Sequence, residues 1–190
     1  MKRSTTALIV VVVLALVVIL SAWSKYNALV TGDESVKAAW AQVQNVLKRR
    51  ADLIPNLVET VKGYASHERE VLTAVTEARA KVGQARSVEE AAQANAELSA
   101  ALSRLLVVVE RYPDLKANVN FLQLQDELAG TENRISTERM RYNEAVRQYN
   151  LLVRRFPGNI YASLFGFEKA PFFQASEAEQ AAPKVDFGQK

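Results

Sequence analysis

The fold is decided by the stretch from Val36 to Val82, VKAAWAQVQNVLKRRADLIPNLVETVKGYASHEREVLTAVTEARAKV. Counting alternately four and three residues from Val36 reaches an apolar side chain at every step except Arg50 and Glu68. This spacing is typical of a helix that packs one narrow stripe against partner helices, as in a bundle or coiled coil. We therefore predict one long helix here, with Gly83 just beyond its end in a position to cap it.

Pro55 lies inside this predicted helix. It lacks an amide hydrogen and crowds the carbonyl four residues back, at a cost of about 3 kcal/mol if the helix runs straight. A kink or a break is therefore expected near Asp52. The apolar phase continues from Leu47 to Val61, which favours a bend over a reversal. Two interpretations stay open: an architectural bend among solvated charges, or an interaction site that includes Asp52, Pro55 and Asn56.

The composition favours a single all-α domain with appendages. The chain has 190 residues, of which 49 % are apolar, and only seven glycines and five prolines, so it can bury one core and is rich in helix formers. Its 24 basic and 21 acidic residues give a net charge of +3, without the positive excess that marks a nucleic-acid binder. No cysteine is present, which excludes disulfides and thiolate metal sites and fits either side of a membrane.

The amino-terminal segment, residues 1–25, predicts a transmembrane anchor. No formal charge occurs between Arg3 and Lys25, and nearly all of the segment between them is apolar. Twenty such residues rise about 30 Å as a helix, enough to cross the hydrocarbon core of a bilayer. The alternative is a cleaved signal peptide, but Leu20 and Trp23 are too large for the expected cleavage site.

The flanks of this segment predict its orientation. Trp23 and Tyr26 suit the headgroup region, where an apolar ring with a polar edge is favoured. Lys2 and Arg3 precede the span, whereas Lys25 follows it. The positive-inside rule therefore favours an amino end in the cytoplasm and the remaining chain outside, by a margin of about one charge.

Start and stop signals predict three helices that can pair in an antiparallel bundle. A capping box begins at Thr31, but the helix can equally continue out of the membrane, since one glycine costs only about 1 kcal/mol. A second capping box begins at Ser87, and Tyr112 with the proline after it ends that helix. The third helix is expected from near Asp114 to Phe156. The three are unequal in length, so either the first breaks into two or uncovered ends associate with other copies or with partners.

Polar residues occupy one seam position of the third helix. Gln125, Glu132 and Arg139 are spaced seven residues apart, where a bundle normally places Leu or Ile. Buried polar groups need partners, and they can fix the register of packed helices. We hypothesise a polar ladder between helices that also involves Glu68. The alternative is a seam that drifts on a straight helix and leaves these residues exposed.

The carboxyl-terminal part combines an aromatic cluster with a polar tail. Six of the 15 aromatic residues lie between Phe156 and Phe173. Such a cluster either caps the open end of a bundle core or forms an exposed patch that docks on lipid or on a partner. The arginines of the preceding helix would suit an anionic lipid contact if this end lies near the membrane. Residues 174–190 are small and polar and predict a disordered tail.

No catalytic, metal-binding or cofactor-binding constellation is apparent. The only histidine is His67. A zinc-protease helix needs a second histidine at position 71, which is Val71, and a bundle di-iron site needs a glutamate at position 64, which is Tyr64. We therefore expect a non-enzymatic protein without a cofactor or a small-molecule substrate, in which His67 is a surface or capping residue.

Several motifs occur together along the chain: YNALV at 26–30, AW at 39–40, RRADLIPNLV at 49–58, VKGYA at 61–65, HE at 67–68, YPDLKAN at 112–118, LQ at 124–125, EL at 127–128, TENRI at 131–135 and YN at 142–143. This combination resembles the LemA family over about residues 7–173. The resemblance implies a bacterial single-pass membrane protein whose soluble part is an antiparallel helical bundle, and it carries over no catalytic residues. It also implies links to envelope stress, to membrane-bound proteases and, for one relative, to magnetosome formation.

We accordingly predict an all-α protein with a transmembrane helix in residues 1–25, a bundle of three or four long antiparallel helices in residues 26–173, and a disordered tail in residues 174–190. The expected role is a membrane-anchored scaffold or adaptor at the bacterial inner membrane that binds envelope proteins or copies of itself. The alternative hypothesis is a regulator or sensor of a membrane-bound protease, with Pro55 as a bend between two states. The candidate interaction residues are Arg50, Asp52, Pro55, Asn56, Glu68, Gln125, Glu132, Asn133, Arg134 and Arg139.

Overall fold

The computed structural model describes the backbone of residues 2–174 and the side chains of residues 6–174. Over that range the chain is helical and contains no strand. The helices are α1 (Lys2–Lys62), α2 (Arg69–Gln84), α3 (Val88–Val109), α4 (Pro113–Lys116), α5 (Val119–Arg154) and α6 (Gly158–Phe165). The all-α class and the helical bundle are thereby confirmed. The predicted tail lies outside the described residues except for Gln174.

The first helix begins at the amino terminus and does not restart at Thr31. Instead of capping a new helix, the Thr31 carbonyl accepts a hydrogen bond of 2.8 Å from the Ser35 hydroxyl inside α1. A Cβ on Gly32 would lie 3.0 Å from the Tyr149 ring, so this glycine allows α5 to approach closely. α1 therefore continues from its apolar amino-terminal part into the rest of the chain.

The predicted long helix is interrupted, but not at Pro55. α1 runs unbroken through Pro55 to Lys62, and the chain turns between Gly63 and Glu68 before α2 begins. Prediction of a single helix from Val36 to Val82 was therefore wrong. The apolar spacing did not reveal the turn because the stripe is buried on both sides of it.

The described residues divide into two compact units that share α1 and α5. Residues 41–140 with 171–174 form the bundle unit, and residues 2–40 with 141–170 form the anchor unit. In the bundle unit, α2 runs antiparallel to α1, since the Arg79 Nε donates a hydrogen bond of 2.9 Å to the Ala51 carbonyl. The core of this unit contains Ile54, Leu57, Val61, Ala65, Leu72, Val75, Ala78, Leu98, Ala101, Leu102, Leu105, Val109, Leu115 and Phe121.

The turn before α2 changes the expected pairing of helices. Because the first predicted helix is split, the bundle unit contains four principal helical segments, from α1, α2, α3 and α5. Of the two expected ways to pair helices of unequal length, the bundle unit therefore shows the division of the first helix in two. The interruption of the first predicted helix lies between Gly63 and Glu68, after Pro55.

The predicted start of α3 is confirmed and that of α5 is displaced. The Ser87 hydroxyl accepts a hydrogen bond of 3.1 Å from the Glu90 amide, and the Glu90 carboxylate accepts one of 2.7 Å from the Arg86 amide. Near Asp114 the chain forms only the short α4. The long helix begins afterwards, where the Asn118 side-chain oxygen accepts a 3.1 Å hydrogen bond from the Phe121 amide.

In the anchor unit, the second half of α5 packs along α1. The ring centroids of Trp40 and Tyr142 lie 5.4 Å apart, and Tyr142 is 1 % exposed. Farther along α5, the Asn150 side chain makes hydrogen bonds of 2.9 Å to both the amide and the carbonyl of Ala170. These bonds fix the segment that follows α6 against α5.

The amino-terminal part of α1 is the one candidate membrane span among the described residues. Its most apolar window of 18 residues has a mean hydropathy of 2.9, and none of that window is buried by the rest of the protein. A core helix of the same composition would be mostly buried. By length and composition this helix can cross a membrane.

Candidate functional site

The bundle unit contains a groove with a volume of about 350 Å³ between α3 and α5. We call it the α3–α5 groove. Most of its lining is apolar, and α1 contributes the remaining side chains. The lining residues are Arg50, Leu57, Ser99, Leu102, Ser103, Leu105, Leu106, Phe121, Gln125, Leu128, Ala129 and Glu132.

The groove has a charged end formed by Arg50 and Glu132. Arg50 is only 5 % exposed, and its Nη1 lies 2.6 Å from the Glu132 Oε2. The same nitrogen donates hydrogen bonds of 2.8 Å to the Asn95 side-chain oxygen and 3.0 Å to the Ser99 hydroxyl. A buried guanidinium is costly unless it is paired and hydrogen-bonded. These three contacts from two helices pair the charge that the apolar stripe of α1 carries into the core. The Glu132 Oε2 is buried in this ion pair without a hydrogen bond from the described residues.

Glu132 differs from Arg50 in its exposure. Its side chain is 47 % exposed, whereas that of Arg50 is 6 % exposed. The carboxylate thus bridges the buried guanidinium and the opening of the groove. Its exposed part places a polar group at this end of an otherwise apolar surface.

The hypothesised polar ladder is represented in the structure by one interhelical ion pair, between Glu132 and Arg50. Glu132 pairs with Arg50, whereas Gln125 is exposed at the edge of the groove and Arg139 is half-buried. Glu68 does not meet α5. Its carboxylate instead accepts hydrogen bonds of 2.9 Å from Arg111 and 3.1 Å from the Tyr112 hydroxyl, after α3 ends. The pairing of Glu68 with the third helix was therefore wrong, because the turn after Gly63 carries Glu68 to the end of α3.

The Glu68 cluster has its own electrostatics. The Glu68 side chain is 21 % exposed and that of Arg111 is 62 % exposed. Burial raises the pKa of Tyr112 above its ordinary value, and its hydrogen bond to the Glu68 carboxylate raises it further. This cluster links the turn before α2 to the α3–α4 connection. Its hydrogen bonds to Glu68 do not involve Arg50 or Glu132.

The other candidate interaction residues lie on outward faces. Asp52, Pro55 and Asn56 are exposed on α1, away from its buried stripe. Asn133 and Arg134 are exposed on α5, and Arg134 borders a separate surface depression. Their roles remain predictions, since the structure places none of them in the α3–α5 groove.

Asn95 is a site residue that the sequence analysis did not single out. It is 4 % exposed and lies on the buried face of α3, seven residues before Leu102. A polar residue at that spacing in the stripe of a second helix was the available signal, since it predicts a partner across the bundle.

The groove offers packing surface and one ion pair. Among residues 6–174, no group of three or more His, Asp or Glu side chains lies close enough to hold a metal ion. Chemically, the arrangement can bury an apolar surface of a ligand beside the Arg50–Glu132 ion pair.

Fold and site together define an all-α bundle protein with one amino-terminal helix that is apolar enough to cross a membrane. The profile of the LemA family matches residues 39–187, and the chain belongs to the LemA family. It is 27 % identical over 199 aligned residues to the magnetosome proteins MamQ 1 and MamQ 2 of Paramagnetospirillum magneticum, with 90 % of this chain and 73 % of each relative covered. It is 26 % identical over 156 residues to Protein LemA of Metamycoplasma hominis, with 81 % of this chain and 71 % of the relative covered. The family resemblance is thereby confirmed.

Proposed function

We propose that this protein is a membrane-anchored, non-enzymatic scaffold that holds an amphipathic helix of a protein partner in the α3–α5 groove. The observation that carries the proposal is the groove itself, an apolar surface that ends in a half-exposed carboxylate. Anchoring is supported by the continuity of α1, which joins the apolar amino-terminal segment to the bundle unit without a break.

The length of the groove suits a contact with one face of a helix. Its lining on α5 extends from Phe121 to Glu132, which is about 16 Å at 1.5 Å per residue, or three helical turns. A partner helix of that length presents apolar side chains at positions i, i+3, i+4 and i+7. Leu106, which is 40 % exposed at the groove, provides apolar surface for such a contact.

The charges indicate the sign of the partner. The Arg50 guanidinium is engaged by Asn95, Ser99 and Glu132, so it is not the group that selects an acidic ligand. Glu132 keeps nearly half of its side chain exposed. A lysine or arginine at one end of the partner helix would complement this carboxylate.

The proposed location is the bacterial inner membrane, with the bundle outside the cytoplasm. It is supported by the distribution of basic residues around the apolar segment. The names of two relatives place them in magnetosomes, and we propose a comparable membrane setting for this chain. The protease-regulator hypothesis relied on Pro55 as a bend between two states, and no feature of the described residues specifically favours it over the scaffold.

The test is photo-crosslinking from the groove in native membranes. A photoreactive amino acid replaces Ser103, which lines the groove, and in a separate variant Asp52, which is exposed on α1. A discrete protein adduct is expected from position 103 only, and its crosslinked peptide should belong to a basic amphipathic helix. An adduct to a second copy of this chain would make the scaffold a self-assembling one.

A matched pair of charge variants tests the specificity of that adduct. Gln125 and Asn133 are both exposed, neutral residues of α5, but only Gln125 lines the groove. Gln125→Arg should abolish the adduct because it repels a basic partner, whereas Asn133→Arg should leave it unchanged. Equal adducts from positions 103 and 52, or an adduct insensitive to Gln125→Arg, would refute the proposal.

A further inference from the structure

α6 exposes an apolar surface on the anchor unit. Phe156, just before the helix, is 81 % exposed, and Ile160, Leu164 and Phe165 are 55 %, 72 % and 44 % exposed. We call these four residues the α6 patch. Contiguous exposed apolar surface of this kind marks a contact with a membrane or a partner.

Contacts within the anchor unit place this patch beside the end of the apolar segment. The Tyr161 hydroxyl lies 3.4 Å from the Ser21 hydroxyl. One turn later, the Phe165 ring packs edge-on against the Tyr26 ring with a centroid distance of 5.0 Å. Since Tyr161 pairs with Ser21 and Phe165 with Tyr26, α6 runs alongside α1 at the level where the apolar segment ends.

The position of α6 is fixed by its own ends. Gly166 caps it in the left-handed conformation, with φ of 75°. At its start, a Cβ on Gly158 would overlap the backbone carbonyl of Leu152, so the first turn of α6 lies directly against α5. The exposed patch is therefore presented by a packed helix.

The surroundings of the patch match the boundary of a bilayer. Trp23 is 71 % exposed at the same level of α1, and aromatic rings of this type favour the interface. Arg154 and Arg155 are exposed immediately before the patch. Arginines next to an apolar surface are attracted to anionic lipid headgroups.

We propose that the α6 patch is a second membrane contact, which inserts into the headgroup boundary of a bilayer with anionic lipids beside the α1 span. The proposal rests on the membrane anchoring in the proposed function. It gives the anchor unit two points of attachment, the span itself and α6. Interfacial helices bury their apolar face about 5–10 Å into this boundary, which is the depth that a label on the patch should report.

The test uses single-cysteine variants of the full chain, which has no native cysteine. Ile160→Cys and Leu164→Cys, each labelled with an environment-sensitive fluorophore, are reconstituted into phosphatidylglycerol–phosphatidylcholine vesicles that contain lipid-attached quenchers. Ile19→Cys in the apolar segment is the positive control. Ala38→Cys is the negative control, since it is exposed and lies 16 residues beyond Ala22, or about 24 Å along α1.

We expect lipid quenching at positions 160 and 164 that is weaker than at position 19 and well above that at position 38. The double substitution Arg154→Gln and Arg155→Gln should reduce quenching at position 164 in the anionic vesicles. With both arginines retained, replacing phosphatidylglycerol with phosphatidylcholine should reduce it as well. Far-UV circular dichroism of each variant checks that the helices are retained.

The outcomes separate the two proposals. Quenching at position 19 with none at positions 160 and 164 would overturn the α6 contact while leaving the anchor intact. No quenching at position 19 would overturn the anchoring on which both proposals rest. A label at position 164 that neither lipid-attached nor aqueous quenchers reach would mean that another protein surface covers the patch, and this too would overturn the proposal.

Discussion

Replacing Glu132 with glutamine preserves the size of the side chain and removes the negative charge 2.6 Å from the Arg50 guanidinium. Arg50 is 5 % exposed, so it cannot regain full hydration when its counter-charge is lost. Breaking a buried ion pair typically costs about 3–5 kcal/mol. Here the cost should be about 2–3 kcal/mol, because neutral acceptors on Asn95 and Ser99 remain and hydrogen bonds to charged groups contribute about 1.5–3 kcal/mol each.

Removing the other partner of the pair, Arg50, should lower the free energy of unfolding by less. Arg50→Met removes the buried charge and leaves Glu132, whose half-exposed side chain can be hydrated. The remaining penalty comes from the buried Asn95 side chain, which loses its hydrogen bond at about 1–2 kcal/mol. Once Arg50 is absent, Glu132→Gln should have almost no further effect. The double-mutant cycle should therefore give a coupling energy of about 2 kcal/mol.

Thermal unfolding in mild detergent, followed by far-UV circular dichroism, measures these differences. At about 2–4 °C per kcal/mol for a chain of this size, Glu132→Gln should lower Tm by about 4–12 °C. The matched control is Glu127→Gln, which breaks the neighbouring pair with Arg49. Both partners of that pair are 54 % exposed and their charged atoms are 3.2 Å apart, so its loss should cost about 0–1 kcal/mol. Equal Tm shifts for Glu132→Gln and Glu127→Gln would refute the reasoning.

Two further predictions concern glycines and pH. Gly130→Ala should stabilise the protein by about 0.5–1 kcal/mol, because a Cβ there meets nothing within 4 Å and α5 gains a better helix former. Gly158→Ala should destabilise the protein by about 1–3 kcal/mol, because the added Cβ overlaps the Leu152 carbonyl. Chemical denaturation compares the two, and the same sign for both would contradict the packing of α6. The Arg147 guanidinium lowers the pKa of Glu144 from 4.5 to about 2, so the stability contributed by this pair is present above about pH 4.5 and lost as pH falls towards 2. Glu144→Gln should flatten that part of a plot of Tm against pH, less so at high salt because the pair is exposed; unchanged curvature would contradict the assignment.

The sequence predicts which polar residues belong to the site, but it does not predict which residues they contact. Arg50 and Glu132 each interrupt an apolar stripe, and a buried polar residue predicts a partner. Periodicity alone does not state which helix supplies it. Glu68 contacts Arg111 and Tyr112, and Asn95 accepts a hydrogen bond from Arg50. These partners depend on where each helix ends and turns back, because the turn decides which residues of two helices lie opposite each other.

The sequence by itself determined the helical class, the apolar amino-terminal segment and the capping of α3 by Ser87, since each depends on local composition and spacing. The tertiary structure alone decided that α1 passes through Pro55 and turns after Lys62, that α3 and α5 leave a groove between them, and that α6 lies beside Ser21 and Tyr26. The physical reason is that a 4-3 stripe specifies which face of a helix is buried. It carries no information about the direction of the chain or about the side chains that meet that face from elsewhere in the fold.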